Sequence, residues 1–69
     1  MSTKSSSRLK ELRIASDYTQ QDMAEMLGVR QQSYARYENS AGEPNLETVV
    51  KLCAIFDVSA DYLLGIADF

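Results

Sequence analysis

Histidine is absent from the 69-residue chain, and cysteine occurs only once, at Cys53. Histidine is the commonest general base and the commonest metal ligand, so both kinds of site lack their usual residue. A single cysteine cannot form an internal disulfide, and Cys53 has no companion ligands at metal-binding spacing. The three glycines are far apart, so there is no glycine-rich phosphate-binding loop. These absences argue against catalysis, and we expect neither a metal nor a cofactor.

Long apolar runs are also missing from the sequence. No run approaches the roughly 18–20 residues that a membrane-spanning helix needs. The first seven residues, MSTKSSS, have no apolar segment behind their single lysine, unlike a secretory signal. We therefore expect a cytoplasmic protein.

Charge is present in ordinary amount but is unevenly distributed. Charged residues make up 25% of the chain and apolar residues 45%, as in a soluble globular domain. The net charge of −3 argues by itself against a nucleic-acid partner. Residues 1–36 nevertheless carry six basic and four acidic side chains, whereas residues 37–69 carry one and six. This asymmetry fits two faces of different function, and it also fits an ordinary charged surface.

The apolar spacing predicts five short helices and no strand. Residues 1–6 are polar and serine-rich, and we expect them to form a flexible arm before one domain at residues 7–69. Residues that commonly cap helices mark four of the helix starts, at Ser7, Thr19, Asn45 and Ser59. Gly28 supplies the left-handed residue that ends helix 2, and helix 3 covers about residues 31–38. Short connections between such helices predict a compact all-α domain.

The predicted core centres on helix 4, which has the widest apolar face. Its apolar positions are Leu46, Val49, Val50, Leu52, Cys53 and Phe56. Tyr34 and Tyr37 are three residues apart and share a face of helix 3. We expect both tyrosines to pack in the core rather than to stack on bases.

Helices 2 and 3, joined by a turn at Gly28, match the pattern of a helix-turn-helix. The second helix of that motif enters the DNA major groove with its N-terminal residues at the base edges. Gln31 and Gln32 stand at that N-terminus, and a glutamine amide can make a two-point contact with adenine. Arg36 lies one turn later and can bind guanine or a phosphate, and Gln20 lies at a helix start that favours phosphate. The pattern alone favours ordinary solvated glutamines over base-reading ones.

A family resemblance extends this interpretation to nearly the whole chain. The segment TQQDMAEMLGVRQQSYARYEN, followed by PNLETVVKL and FDVSADYLLG, resembles the Cro/repressor (XRE-type) family of bacterial and phage transcriptional regulators. The similarity covers about residues 8–65. It implies a compact five-helix lambda-repressor-like DNA-binding domain whose partner is double-stranded DNA. It also implies that Gln31, Gln32 and Arg36 read bases and that Gln20 contacts a phosphate.

Other roles follow from the same resemblance, and two positions depart from the family pattern. Arg13 and Glu38 match a pair that forms an internal salt bridge, and Asn39 matches a loop residue that touches phosphate. Arg30 replaces the usual Ser or Thr that caps helix 3, and we expect it to meet a phosphate instead. Ser40 replaces part of a common glycine-containing ending, so we expect a less tight loop after helix 3.

The C-terminal segment has more apolar residues than closing a monomer requires. We expect a homodimer interface formed by Tyr62, Leu63, Ile66 and Phe69. The predicted function is sequence-specific regulation of transcription. The dimer would act as a repressor by occluding a pseudo-palindromic operator. The alternative is a protein-interaction module, such as the antitoxin or regulatory partner of a second protein, acting through the acidic half.

Overall fold

A computed structural model describes residues 1–68 of the chain. Within that range lie five α-helices and no strand, which confirms the predicted all-α fold. The helices are α1 (Thr3–Ala15), α2 (Gln20–Leu27), α3 (Gln31–Glu38), α4 (Leu46–Phe56) and α5 (Ala60–Leu63). None of these helices combines the length and the apolar character that crossing a lipid bilayer would need.

Helix α1 begins earlier than predicted, and the expectation of a flexible arm at residues 1–6 was wrong. Ser2 caps the helix through its side-chain oxygen, which accepts a hydrogen bond from the Ser5 amide at 3.1 Å. The Ser5 hydroxyl donates to the Leu63 carbonyl at 2.7 Å, and the Ser6 hydroxyl donates to the Tyr37 carbonyl at 2.6 Å. Both serines are buried because these distant carbonyls satisfy their hydroxyls.

The predicted boundaries of α2 are confirmed. Thr19 accepts a hydrogen bond from the Asp22 amide at 3.0 Å, and Asp22 accepts one from the Thr19 amide at 2.9 Å. This reciprocal capping box satisfies two amides that the helix itself cannot pair. Gly28 ends the helix with a left-handed φ of 70°, and the Val29 amide then donates to the Ala24 carbonyl at 3.0 Å. The turn between α2 and α3 is therefore fixed by local backbone hydrogen bonds.

The core lies where α1 to α5 converge. Its fully buried large side chains include Leu9, Met23, Tyr34, Leu52 and Leu63. Helix α4 contributes less than its sequence predicted, because Leu46 is 80% exposed and Val50 is 61% exposed. The apolar face of α4 is wider than the surface that the other short helices can cover. Only Val49 and Leu52 of the predicted stripe are buried, and Cys53 and Phe56 are half-buried.

Candidate nucleic-acid interface

Helix α3 presents a polar face to solvent and an anchored face to the core. Tyr34 and Glu38 are buried, one turn apart, and hold the inner side of the helix against the domain. Gln31 and Gln32 are exposed at the N-terminus, and Arg36 is exposed one turn further along. The structure thus brings the three predicted base-reading residues onto the accessible part of one short helix.

Arg30 immediately precedes this helix and is exposed. It occupies the capping position with an extended backbone, and no hydrogen bond from its side chain caps the helix within the described range. A guanidinium has no acceptor atom, so it cannot pair with helix amides as Ser or Thr would. Its charge is therefore available at the edge of the α3 surface, as a phosphate contact would require.

The N-terminus of α2 lies beside α3. Gln20 is the first residue of α2, and its side-chain Nε2 donates to Glu38 Oε1 at 3.3 Å. The first amides of a helix have no partner within it, and the capping box satisfies only that of Asp22 among the first three of α2. The start of α2 therefore retains donors for a phosphate at its positive dipole end. Gln20 consequently connects a potential phosphate site to the inner side of α3.

An ion pair fixes the end of α3 to α1. Arg13 Nε contacts Glu38 Oε2 at 2.7 Å, and Arg13 Nη2 contacts Glu38 Oε1 at 3.2 Å. The Glu38 side chain is only 2% exposed and that of Arg13 is 13% exposed. Arg13 Nη1 also donates to the Tyr18 carbonyl at 3.0 Å, in the connection between α1 and α2. A single arginine therefore joins α1, the connection between α1 and α2, and the end of α3.

The electrostatics of this cluster keep the pair charged. Burial raises the pKa of the Glu38 carboxyl, but hydrogen bonds from Arg13 and Gln20 and the neighbouring Tyr34 hydroxyl outweigh it, so the pKa lies below its ordinary value. The hydrogen bond to Glu38 raises the pKa of Arg13. Burial, together with the Glu38 carboxylate, raises the pKa of Tyr34. Within residues 1–68 the Tyr34 hydroxyl has no hydrogen bond of regular geometry.

The loop after α3 is tighter than predicted. Asn39 ends the helix and is exposed, and Ser40 adopts a left-handed φ of 60°. The amides of Ala41 and Gly42 then donate to the Arg36 carbonyl at 2.9 and 3.2 Å. This is the usual hydrogen-bond closure of a helix end, achieved here with serine at the position that normally favours glycine. Asn39 is held in a defined place next to the exposed face of α3.

Comparison with known proteins identifies the family. The helix-turn-helix family model matches residues 9–63, which include all five helices apart from the first turns of α1.

The chain belongs to the XRE-type helix-turn-helix family.

Several relatives of this helix-turn-helix protein are named as transcriptional regulators or repressors. The SPbeta prophage-derived uncharacterized HTH-type transcriptional regulator YonR of Bacillus subtilis is 47% identical over 57 residues, which are 83% of this chain and 53% of the relative. The HTH-type transcriptional regulator ImmR of Bacillus subtilis is 41% identical over 84% of this chain and 46% of its own length. The cryptic phage CTXphi transcriptional repressor RstR of Vibrio cholerae is 38% identical over 84% and 52%. The chain spans about half the length of these relatives.

The residues predicted for a dimer interface differ in how far they are exposed. Leu63 is 0% exposed and packs inside the monomer, so its assignment to an interface was wrong. The reason is that the single turn of α5 must bury one large side chain to close the core. Tyr62 is half-buried, Ile66 is 73% exposed, and Phe69 lies outside the described residues.

Arg8 is a residue whose role in this helix-turn-helix protein the sequence did not indicate. Its Nη1 donates to the carbonyls of Tyr62 and Ala67 at 2.6 and 2.5 Å, and its Nη2 contacts Asp68 Oδ1 at 2.9 Å. The guanidinium also lies 4.3 Å from the centre of the Tyr62 ring. Arg8 therefore fastens α5 and the following residues to α1. No local pattern signals such a contact, because the partners are more than fifty positions away.

No cluster of metal-ligating side chains occurs within the described part of the chain. Cys53 is half-buried on α4, and burial raises the pKa of its thiol. A raised pKa keeps the thiol protonated and weakly nucleophilic at neutral pH, as expected for a cysteine that packs rather than reacts.

Proposed function

We propose that this protein is a sequence-specific DNA-binding regulator of transcription, without catalytic activity. The observation that carries the proposal is the exposed pair Gln31 and Gln32 at the start of α3, on a helix whose opposite face is anchored in the core. The family membership and the names of the relatives support the same function. Because the partner is cellular or phage DNA, the proposed location is the cytoplasm.

Base reading would rest on three side chains of α3. Each glutamine amide provides an acceptor and two donors, which match the N7 and N6 groups of adenine. Arg36 provides paired donors that match the O6 and N7 groups of guanine. Each good two-point contact discriminates against a wrong base by about 1–3 kcal/mol. Three such residues per monomer can specify a short half-site.

Phosphate contacts would set the position of α3 in the groove. Arg30 and Asn39 lie at the two ends of α3, and both are exposed. Gln20 adds the free amides at the start of α2, while its side chain remains bonded to Glu38. Contacts of this kind fix register and orientation but carry no sequence information.

The ion pair of Arg13 and Glu38 would give this surface its rigidity. It joins α1 to the end of α3, and Gln20 joins the same carboxylate to α2. A helix held by two neighbouring helices loses little conformational freedom when it docks, which favours binding. The pair therefore supports recognition without touching DNA.

A dimer acting as a repressor completes the proposal. Two α3 helices about 34 Å apart would enter successive major grooves of a pseudo-palindromic operator and block polymerase. The domain measures 28 × 22 × 20 Å, so two copies side by side can span that distance. Ile66 and the half-buried Tyr62 are the described residues of the predicted interface that remain accessible. The few basic side chains near α3 make a monomer a weak binder, so dimerisation should matter.

The test is selection of bound sites from random duplex DNA by the purified chain. We expect an enriched motif with two half-sites related by two-fold symmetry, and retention that weakens as salt increases. Sedimentation of the protein with the selected duplex should then show two chains per duplex. Failure to enrich any motif would refute the proposed function, whereas one chain per duplex would refute only the dimer.

A second function is favoured by one observation. An open cleft of about 610 Å³ on the acidic half of the chain is lined by Asp57, Val58, Ser59, Asp61, Tyr62 and Ala67. A basic, partly apolar segment of another protein would fit such a cleft, as in an antitoxin or a regulatory partner. Stoichiometric co-purification of a second protein, with no salt-sensitive retention on DNA, would favour this function.

A further inference from the structure

We propose that the loop after α3, through Ala41 and Gly42, positions the guanidinium of Arg36 and thereby determines which base Arg36 prefers. The proposal rests on the proposed DNA-binding function. It assigns a positioning role in recognition to two residues that do not themselves present a polar side chain to the bases.

Both the side chain and the backbone of Arg36 are hydrogen-bonded to this loop. Its side-chain Nη2 donates to the Ala41 carbonyl at 3.0 Å. Its own carbonyl accepts hydrogen bonds from the amides of Ala41 and Gly42 at 2.9 and 3.2 Å. An exposed arginine ordinarily samples many rotamers, so this arrangement selects one direction for the guanidinium.

Gly42 makes the close approach possible. A Cβ atom built at Gly42 would lie 3.2 Å from Arg36 Cβ and 3.4 Å from Tyr37 Cδ1. Gly42 does not have a left-handed φ, so glycine is not required there by the backbone conformation. Because Gly42 has no side chain, it leaves space for the Cβ atom of Arg36. With alanine at this position, the Cβ atom of Arg36 would have to move by a few tenths of an ångström.

The surroundings show why the Ala41 carbonyl matters. A cleft of about 240 Å³ beside α3 is lined by Ser33, Arg36, Tyr37, Gly42 and Glu43. The cleft gives the guanidinium room to turn towards the Glu43 carboxylate, which also pairs with the N-terminal ammonium of Met1. The hydrogen bond to Ala41 holds it elsewhere. It uses one of the five guanidinium donors, and the four that remain suffice for a two-point contact with guanine.

The first test compares base preferences of Gly42→Ala with those of the unaltered chain on the selected duplex. A complete two-point contact contributes roughly 5–150-fold to base discrimination. We expect Gly42→Ala to reduce discrimination about threefold or more at the base pair that Arg36→Ala identifies. Discrimination at the positions identified by Gln31→Ala and Gln32→Ala should stay within about twofold. Ser40→Gly is the matched control in the same loop, and it should leave every preference unchanged.

The double variant separates positioning from general damage. If Gly42→Ala acts through Arg36, it should have no further effect on base preference in the Arg36→Ala background. Equal losses at all positions, or an undiminished loss in that background, would overturn the proposal. If the unaltered chain selects a site and Gly42→Ala leaves its preferences intact, the loop proposal fails and the proposed function stands. If the unaltered chain selects no site, both fail.

A second measurement needs no variant and does not depend on folding of Gly42→Ala. In the free protein, side-chain nitrogen NMR should show slower exchange and restricted rotation for the guanidinium of Arg36 than for that of Arg30. Arg30 is the control because it is exposed on the same surface and makes no side-chain cap hydrogen bond within residues 1–68. Equal exchange and rotation for the two arginines would overturn the proposal.

Discussion

Replacement of Arg13 by alanine leaves the buried Glu38 carboxylate without its main partner. The substitution removes contacts of 2.7 and 3.2 Å and retains the weaker one from Gln20 at 3.3 Å. The Glu38 side chain is only 2% exposed with Arg13 in place, so its carboxylate depends on donors from the protein rather than on water. The substitution also releases the Tyr18 carbonyl in the connection between α1 and α2.

The expected loss is large for a domain of this size. Breaking a buried ion pair by removal of one partner costs about 3–5 kcal/mol. The retained Gln20 contact places the expected value for Arg13→Ala near the lower limit, at about 3 kcal/mol. A small domain has a free energy of unfolding of roughly 0.1 kcal/mol per residue, or about 7 kcal/mol here. The substitution would therefore remove nearly half of it and lower the melting temperature by about 12–24 °C.

Urea denaturation at several pH values is the appropriate assay. In the unaltered protein the pKa of Glu38 is lowered, so its contribution is present above its unfolded pKa of about 4.3 and is lost as the pH falls through the folded value. Arg13→Ala removes the strongest of the hydrogen bonds that lower this pKa, so we expect the pKa of Glu38 to be higher in the variant. The stability difference between the two proteins should therefore shrink as the pH is lowered from 7 towards 3.

Lys10→Ala is the matched control, since Lys10 is an exposed cation on the same helix. It should change the free energy of unfolding by no more than about 0.5 kcal/mol. Arg8 cannot serve as this control, because it binds the carbonyls of Tyr62 and Ala67. A loss for Arg13→Ala below about 1 kcal/mol that does not change with pH would refute the reasoning.

Three further predictions concern other contacts of the fold. Ser40→Gly relieves a left-handed φ of 60° and should stabilise the protein by about 0.5–1 kcal/mol in urea titration; any destabilisation would contradict it. Arg8→Ala should lower the free energy of unfolding by about 2 kcal/mol in thermal unfolding. Asp68→Asn should lower it much less, because Asp68 is exposed. Equal losses would show that the carboxylate, rather than the two carbonyls, is the main partner of Arg8. Leu63→Ala should destabilise the monomer by about 2–5 kcal/mol, whereas Ile66→Asp should leave the monomer stable and weaken the proposed dimer in sedimentation equilibrium. The reverse pattern would contradict the placement of these side chains.

The features that the sequence predicted well are those that depend on neighbouring residues. Thr19 and Asp22 are three positions apart, and Gly28 acts on the turn that contains it. Such signals are complete within a few residues, so the start and the end of α2 could be predicted correctly. The exposure of Gln31 and Gln32 follows in the same way from the position of α3 after that turn.

The features that the sequence did not predict depend on distant partners. Ser5 and Ser6 look like residues of a flexible arm until the carbonyls of Leu63 and Tyr37 are known to accept their hydrogen bonds. The contacts of Arg8 could not be predicted for the same reason, since its partners Tyr62 and Ala67 lie more than fifty positions away. The Arg13 and Glu38 contact was suggested only by the family resemblance, since 25 positions separate the two residues.

The burial predicted for Leu46 and Val50 on α4 was wrong for a different reason. Leu46 and Val50 follow the apolar spacing that usually indicates a core face, yet both are exposed. Spacing reports which residues share a face, but not whether other helices pack on that face. The neighbouring helices of the described chain leave this part of α4 uncovered.

In the proposed function, α3 reads bases through Gln31 and Gln32. The most direct measurement is the binding free energy of Gln31→Ala and Gln32→Ala on the selected duplex and on a scrambled duplex of equal length. Gln21→Ala is the matched control, because Gln21 is an exposed glutamine on α2 whose amide contacts Glu25. We predict a loss of about 1–3 kcal/mol on the selected duplex for each α3 variant, little change on the scrambled duplex, and no selective loss for Gln21→Ala. Equal losses on both duplexes for the α3 variants would contradict base reading by this helix.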